Sequence, residues 1–383
     1  MLNIGAMRRI IICSCLVLAF LTSPIRVFAA PPPDIRVLVI NDVPSVTIDG
    51  GDSYLRYGSL GARGDNRIGS KAIIRADESG LFINGKPCGN EAVISSSTRN
   101  YTVGSKSFFG KLVVIAKPNG KLMVIDHLPL ERYLVGIVGS EISPRWPIES
   151  IKAQVVAART YALNKIDSIK KARPDRSYDI TSNIYSQVYH GAHVEDPKAT
   201  EGVDATRGEI LYRDGRIFPA FYHSCCGGET EHAHNVWDGE LGPPVIKDSF
   251  CKRSPKHTWT YSVPVSKFIK VLNKNNIPIS NILTVATTSF QDSPRNEHLL
   301  VETNEGLKMI PAKDLRKYFG YKEIKSTWFD VKLKQNYLLF DGKGYGHGVG
   351  MCQWGAKGMA DAGHSYLEIL KKYYSDAEVR KAY

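Results

Sequence analysis

The 383-residue chain lacks the patterns that mark several large function classes. It carries 7 cysteines but no Cys-x-x-Cys pair, so the usual zinc-ribbon and dithiol redox spacings are missing. There is no Gly-x-Ser-x-Gly elbow, and no third triad member can be placed for the adjacent His223 and Ser224, which argues against a serine hydrolase. The glycine-dense run from Gly342 to Gly350 has Gly-Lys followed by Gly, not Ser or Thr, so it is no phosphate loop. No basic-aromatic array or zinc-finger spacing accompanies the positive charge, which argues against nucleic acid as a partner. Nor does the composition, 43% hydrophobic and 23% charged, point to disorder or a coiled coil; it is ordinary for a globular protein.

What is present begins with an export signal. Arg8 and Arg9 precede an apolar core from Ile10 to Leu21, and Val27-Phe28-Ala29 offers small residues for cleavage. The apolar run is short against the roughly 20 residues of a bilayer span, so cleavage is favoured over a retained anchor, and a membrane is a partner only if the segment stays uncleaved. Losing Arg8, Arg9 and Arg26, and no acid, lowers the formal net charge from +12 to +9. A basic exported protein suits an anionic surface such as a cell wall. The expected location is extracytoplasmic, in the periplasm or cell wall.

The expected divisions are a signal peptide at 1–29, a β-rich region at 30–109 and a second region at 110–383. Ile35 to Ile40 and Val46 to Ile48 read as strands. Leu112 to Ala116 and Leu122 to Ile125 flank the turn Pro118-Asn119-Gly120-Lys121 and read as a hairpin. Strand and helix runs do not alternate regularly, so the expected fold is mixed α+β with a buried central helix, not a doubly wound sheet.

That central helix follows the stretch Gly139 to Trp146, which reads as a tight loop carrying Glu141. Pro147 fits the first helical position and Glu149 suits the helix dipole. From Ile151 to Leu163 small and apolar residues cover nearly every face, with Gln154, Arg159 and Thr160 set among them. A buried Arg159 must be paired, and Lys152 lies seven residues before it on the same face. Glu131 is a rival carboxylate, but neighbouring Arg132 and Tyr133 suggest a structural ion pair.

The run Ser140-Glu141-Ile142-Ser143-Pro144-Arg145-Trp146 through Leu163 resembles the stage II sporulation protein D family, and the resemblance extends over Gly110 to Val379. Further matches fall at Gln187-Val188-Tyr189, at Tyr222 to Thr230, at Leu315 to Gly320 and at Gly342 to Ala356. The resemblance implies a peptidoglycan lytic transglycosylase with Glu141 as its single acid and base. It implies groove residues at Lys152, Arg159, Gln187, Tyr189, Tyr222, His223, Ser224, His347 and Gln353. Glycan strands are the implied substrate and a cell-wall amidase an implied partner, since relatives are described as amidase enhancers. A non-catalytic glycan-binding enhancer is the alternative reading, and a structural wall protein a third.

No cofactor is expected. Some members hold zinc with a His and two Cys, but those cysteine positions fall on Ile180 and Ser186 here, so that site is not carried over. Five cysteines outlast the signal segment: Cys88, Cys225, Cys226, Cys251 and Cys352. The count is odd, so at least one thiol stays free or pairs between chains. Cys226 to Cys251 is the preferred disulfide. A zinc site from Cys226, Cys251 and His257 or His223 is its rival, and spacing alone does not decide between them.

Overall fold

Two largely antiparallel sheets open the chain, built from strands that alternate buried and exposed residues, as in Lys71–Asp77, where Ala72 and Ile74 point inward. The computed structural model describes residues 31–51, 54–58, 66–98, 100–182, 187, 189, 191, 196–239 and 241–383. The expected signal segment lies outside them. Pro32–Ala382 makes one compact unit.

The first sheet has seven strands in the order Ile180–Thr181, Asp34–Val43, Leu122–Pro129, Lys111–Ala116, Glu91–Ser96, Leu55–Gly58 and Asn66–Gly69. Only the short Ile180–Thr181 strand runs parallel to its neighbour. The expected hairpin is there, pairing Lys111–Ala116 with Leu122–Pro129. Since Leu122–Pro129 also pairs with Asp34–Val43, this sheet takes strands from both sides of residue 110. Asp179 fastens its edge, taking a 2.7 Å hydrogen bond from Arg36.

Helix α1 (Leu130–Glu141) leaves the end of that sheet buried along most of its length. Helix α2 (Ile148–Ala172) follows and is the central helix. Pro147 stands one position earlier than expected, as the residue before the helix (φ −55°, ψ 141°). The helix also continues to Ala172, past the apolar run, where Lys171 and Asp167 pair at 2.7 Å across one turn. Against α2 pack α3 (Pro197–Ala205), capped by Asp196, and the two late helices α7 (Gln353–Asp361) and α8 (Tyr366–Tyr373). The short α4 (Ala233–Val236) precedes a second lobe that contains α5 (Val265–Lys274) and α6 (Ala312–Phe319).

That lobe, residues 258–343, leaves and returns side by side, with Thr258–Pro264 antiparallel to Tyr337–Lys343. It has its own core of Trp259, Phe268, Leu272, Leu299, Leu315 and Phe340. The fold is mixed α+β.

Candidate functional site

Glu141 is the last residue of α1 and is half-buried, not carried on a tight loop. The helix runs through Gly139 and Ser140, where the Ser140 hydroxyl donates back to the Gly136 carbonyl at 2.8 Å. It stops where Ile142 turns extended (φ −133°, ψ 160°).

Two tyrosine hydroxyls feel the charge of this carboxylate. Burial first, and the charge of Glu141 second, push the hydroxyls of Tyr133 and Tyr222 well above the usual phenol range. Gln187 joins them: Tyr133 donates to its Oε1 at 3.0 Å, and its Nε2 donates to the Tyr222 oxygen at 3.0 Å and to the Ala158 carbonyl at 3.2 Å. Both amide ends are thus used, which fixes the amide's orientation. The Tyr222 hydroxyl accepts from Gln187 and keeps its own proton to give. Glu141, Gln187 and Tyr222, chosen from sequence, therefore come together. Tyr133 was missed as a member of the group. It sits two turns before Glu141, a relation visible only once α1 is known to reach Glu141.

His223 and His347 form a second group, with ring centroids 5.6 Å apart. His347 also meets the rings of Trp237 at 4.9 Å and Phe221 at 6.4 Å. It accepts from the Val349 N–H at 3.1 Å, while His223 Nδ1 lies 3.1 Å from the Val349 carbonyl. Burial, helped by Arg295, pushes His223 down to about 4, and burial, His223 and Arg316 push His347 well below the ordinary imidazole range. Both rings are therefore neutral near pH 7. A neutral His223 donates from Nδ1 to that carbonyl and leaves Nε2 buried with no hydrogen-bond partner among the described residues. His347 opens onto a cavity of about 390 Å³, lined also by Glu231, His298, Lys313 and Arg316. Glu141 is not among its lining residues.

The glycines place His347. The chain at Gly350 (φ +71°) passes so close to the extended segment at Phe221 that an added Cβ would stand 2.0 Å from the Phe221 carbonyl oxygen. Residues Met351 and Cys352 then pair in parallel with Tyr222 and His223. A side chain at position 350 would break that contact.

Other sequence candidates sit elsewhere. Arg159 is fully buried, which corrects its reading as a groove residue. It donates to both Glu131 oxygens, at 3.0 and 2.8 Å, and to the Glu209 carbonyl at 3.0 Å, so its donors are spent inside the protein. Glu131 is thus one half of a structural ion pair, with Arg159 in place of the expected Arg132. Lys152 pairs with Glu149 at 2.7 Å, and Glu149 takes the Tyr366 N–H at 2.7 Å, tying α2 to α8. Tyr189 is 2% exposed and donates to buried Asp126 at 2.8 Å, so its hydroxyl serves the core and the groove reading is corrected. Gln353 is buried and donates to Gln154 at 3.3 Å. The Ser224 hydroxyl meets Lys256 at 3.4 Å. Trp354 stands edge-on to Trp146, with centroids 5.1 Å apart.

The disulfide expectation is also corrected. Cys225, Cys226, Cys251 and Cys352 are free buried thiols, and the Cys226 and Cys251 sulfurs stand 3.4 Å apart, not the roughly 2.05 Å of a bond. Ile180, one of the family's cysteine positions, is buried in the first sheet, and Ser186 lies outside the described residues.

A family model described as Stage II sporulation protein matches residues 118–212, the span from the hairpin turn through α1, Glu141, α2 and Gln187. Residues 118–212 are thus similar to a stage II sporulation protein domain, and curated relatives named Stage II sporulation protein D support that family for the chain. Within related sequences, it is 29% identical over 317 residues to an uncharacterized protein of Brachyspira hyodysenteriae, covering 82% of this chain and 80% of that one. It is 29% identical over 273 residues to Stage II sporulation protein D of Bacillus amyloliquefaciens, covering 67% and 76%. The Amidase enhancer of Bacillus subtilis is 27% identical over 289 residues, 63% of this chain and 39% of that one. The family match stops at Tyr212, so the second histidine group and the thiols lie beyond it.

Proposed function

We propose that this protein acts on the cell wall, cleaving peptidoglycan glycan strands as a lytic transglycosylase with Glu141 as its acid and base. What carries the reading is the setting of Glu141: a half-buried carboxylate at a helix end, whose charge reaches two phenols, Tyr133 buried and Tyr222 part-buried, that Gln187 holds in place.

One carboxyl group suffices for this reaction. An ordinary glycosidase needs a second carboxylate as nucleophile or as base for water. In a lytic transglycosylase the sugar's own 6-hydroxyl attacks the anomeric carbon. The Glu141 carboxyl gives its proton to the glycosidic oxygen as the C–O bond breaks. The resulting carboxylate takes the proton of the 6-hydroxyl as the 1,6-anhydro ring closes, so the enzyme ends as it began. Tyr222, with its own proton to give, can donate to the sugar or to the carboxylate.

Glu141→Gln keeps the shape and removes the proton. It is expected to fold with an unchanged melting temperature and to release no anhydro-muropeptides from purified wall, read by mass spectrometry. Near-wild-type release would end the proposal.

The Amidase enhancer relative supports a second reading, in which the protein binds wall and assists an amidase without cutting. On that reading the wild-type protein yields no anhydro ends, and Glu141→Gln stimulates an added amidase as well as wild type does.

A further inference from the structure

Four buried side chains near the second histidine group converge from three separate pieces of chain. Cys226 follows the Tyr222–His223 strand, Asp248 sits in a loop, Cys251 lies in the single turn Phe250–Arg253, and Cys352 caps α7. Their sulfur and carboxylate oxygen atoms all lie within 4.8 Å of one another, and all four residues are at most 1% exposed. We propose that Cys226, Cys251, Cys352 and Asp248 bind one zinc ion as a closed structural site. It uses neither Ile180 nor Ser186, and it does not rest on the reading of Glu141.

The spacing fits a tetrahedral ion. Two sulfurs at about 2.3 Å from one zinc stand roughly 3.8 Å apart, and a sulfur and a carboxylate oxygen roughly 3.6 Å. Cys226 Sγ lies 3.4 Å from Cys251 Sγ and 3.3 Å from Asp248 Oδ2. A few tenths of an ångström of opening admits the ion, whereas a disulfide requires the sulfurs to close by more than 1 Å.

The surroundings suit thiolates. Cys352 Sγ receives the N–H of Cys226 at 3.2 Å and of Gly355 at 3.3 Å, and Cys226 Sγ receives that of Gly228 at 3.4 Å. Such donors stabilise the charged sulfur. Asp248 is oriented by the Tyr373 hydroxyl at 2.9 Å and the Phe250 N–H at 2.8 Å, the outer support that metal-ligating carboxylates require. Gly355 keeps the space clear: a Cβ there would lie 2.2 Å from the Asp248 carboxylate and 1.9 Å from the Tyr373 hydroxyl. Arg295, fully buried, donates to the Cys226 carbonyl at 2.8 Å and brings positive charge to a group of three thiolates and a carboxylate. Binding converts three thiols to thiolates and releases up to three protons to solvent; no redox step is involved. The ion would cross-link the three segments that carry His223, the Asp248 turn and the His347–Gln353 loop.

The test is elemental analysis of the full-length protein purified without chelator, together with peptide mapping without reduction. We expect stoichiometric zinc and unbridged Cys226 and Cys251. Replacing zinc with Co²⁺ should give the sulfur-to-cobalt charge-transfer band and the strong visible bands of a tetrahedral site. Cys352→Ser and Asp248→Asn should lower zinc affinity at least tenfold in a chelator competition. Cys88→Ser, Cys225→Ser and His257→Gln should hold zinc as wild type does. Metal-free protein with a Cys226–Cys251 bridge overturns the proposal. So does zinc retained at full affinity in both Cys352→Ser and Asp248→Asn, or lost in His257→Gln. If Cys352→Ser fails to fold, the Co²⁺ spectrum and Asp248→Asn still decide.

Discussion

Asp126 is a carboxyl group held away from water, with no cation beside it among the described residues. It is fully buried, its Oδ2 takes the Tyr189 hydroxyl at 2.8 Å, and its Oδ1 has no hydrogen-bond partner among the described residues. Burial raises it to about 8 against the partial opposition of that hydrogen bond. Its folded value therefore stands above the unfolded value of about 3.9. Its contribution is intact below pH 4 and is lost as pH rises from about 4 to about 8, because the unfolded chain sheds the proton first. A tenfold difference in proton affinity between the folded and unfolded chain is worth about 1.4 kcal/mol. His223, lowered to about 4, acts in the opposite sense: its penalty is absent above about 6.5 and grows as pH falls toward 4. Asp126→Asn removes the first slope alone. Relative to wild type, its melting temperature should be higher at pH 8 than at pH 5, whatever the fixed cost of the substitution. An equal difference at the two pH values would show that Asp126 is ionised in the fold.

At the scale of elements, the glycine-rich loop and the central helix are legible in the sequence for sound reasons, and their boundaries are not. The helix is legible because Ile151 to Leu163 is apolar on nearly every side, and α6, closed by Gly320 at φ +104°, ends where its glycine stands. The bounds of the strand at Tyr222–His223 are not legible, because a two-residue parallel pairing with Met351–Cys352 leaves no periodicity of its own. The partner of Arg159 is hidden for a related reason: Glu131 lies 28 residues away, and only the packing of α1 on α2 brings them to 2.8 Å. Of the site, Glu141 and Tyr222 are recoverable from motif position, and so is Gln187, though burial makes it a positioning residue; burial removes Arg159 and Tyr189. The glycines allow a direct test. Gly350 and Gly215 share nearly the same angle, φ +71° and +72°, but nothing lies within 4 Å of a Cβ at Gly215. Gly215→Ala should cost about 1 kcal/mol, the conformational cost alone. Gly350→Ala should cost several times more, because its Cβ meets the Phe221 carbonyl. Denaturant midpoints of the two variants measure the difference, and equal losses would mean that the 221–350 contact gives way cheaply.

Over the whole molecule, the lobe at 258–343 could be a passive insertion, since its strands return beside their start and its core is its own. Arg295 argues against that. It projects from the lobe and is 1% exposed, with Nη2 donating to the carbonyls of Cys226 at 2.8 Å and Glu229 at 3.0 Å. Its Nε stands 3.6 Å from Glu231 Oε2, close enough for an ion pair and too long for a hydrogen bond. Glu231, equally buried, is held by Asn235 at 3.0 Å and Ser293 at 2.5 Å and lines the cavity of His347. Gly348 makes room for the guanidinium: a Cβ there would lie 2.6 Å from it. The lobe thus reaches the loop that carries the histidines through one buried cation. Removing one partner of such a pair strands the other charge and costs about 3–5 kcal/mol, whereas removing both costs much less. Arg295→Met should therefore destabilise the protein strongly, and Glu231→Gln added to it should restore part of the loss. Chemical denaturation of wild type, both single variants and the double closes the cycle. Hydrogen exchange should show Arg295→Met loosening residues 226–231 and 344–350 while the strands of the lobe keep their protection. Additive losses with no recovery in the double variant would mean that the two charges act separately, and that the lobe is joined to the histidine loop by packing alone.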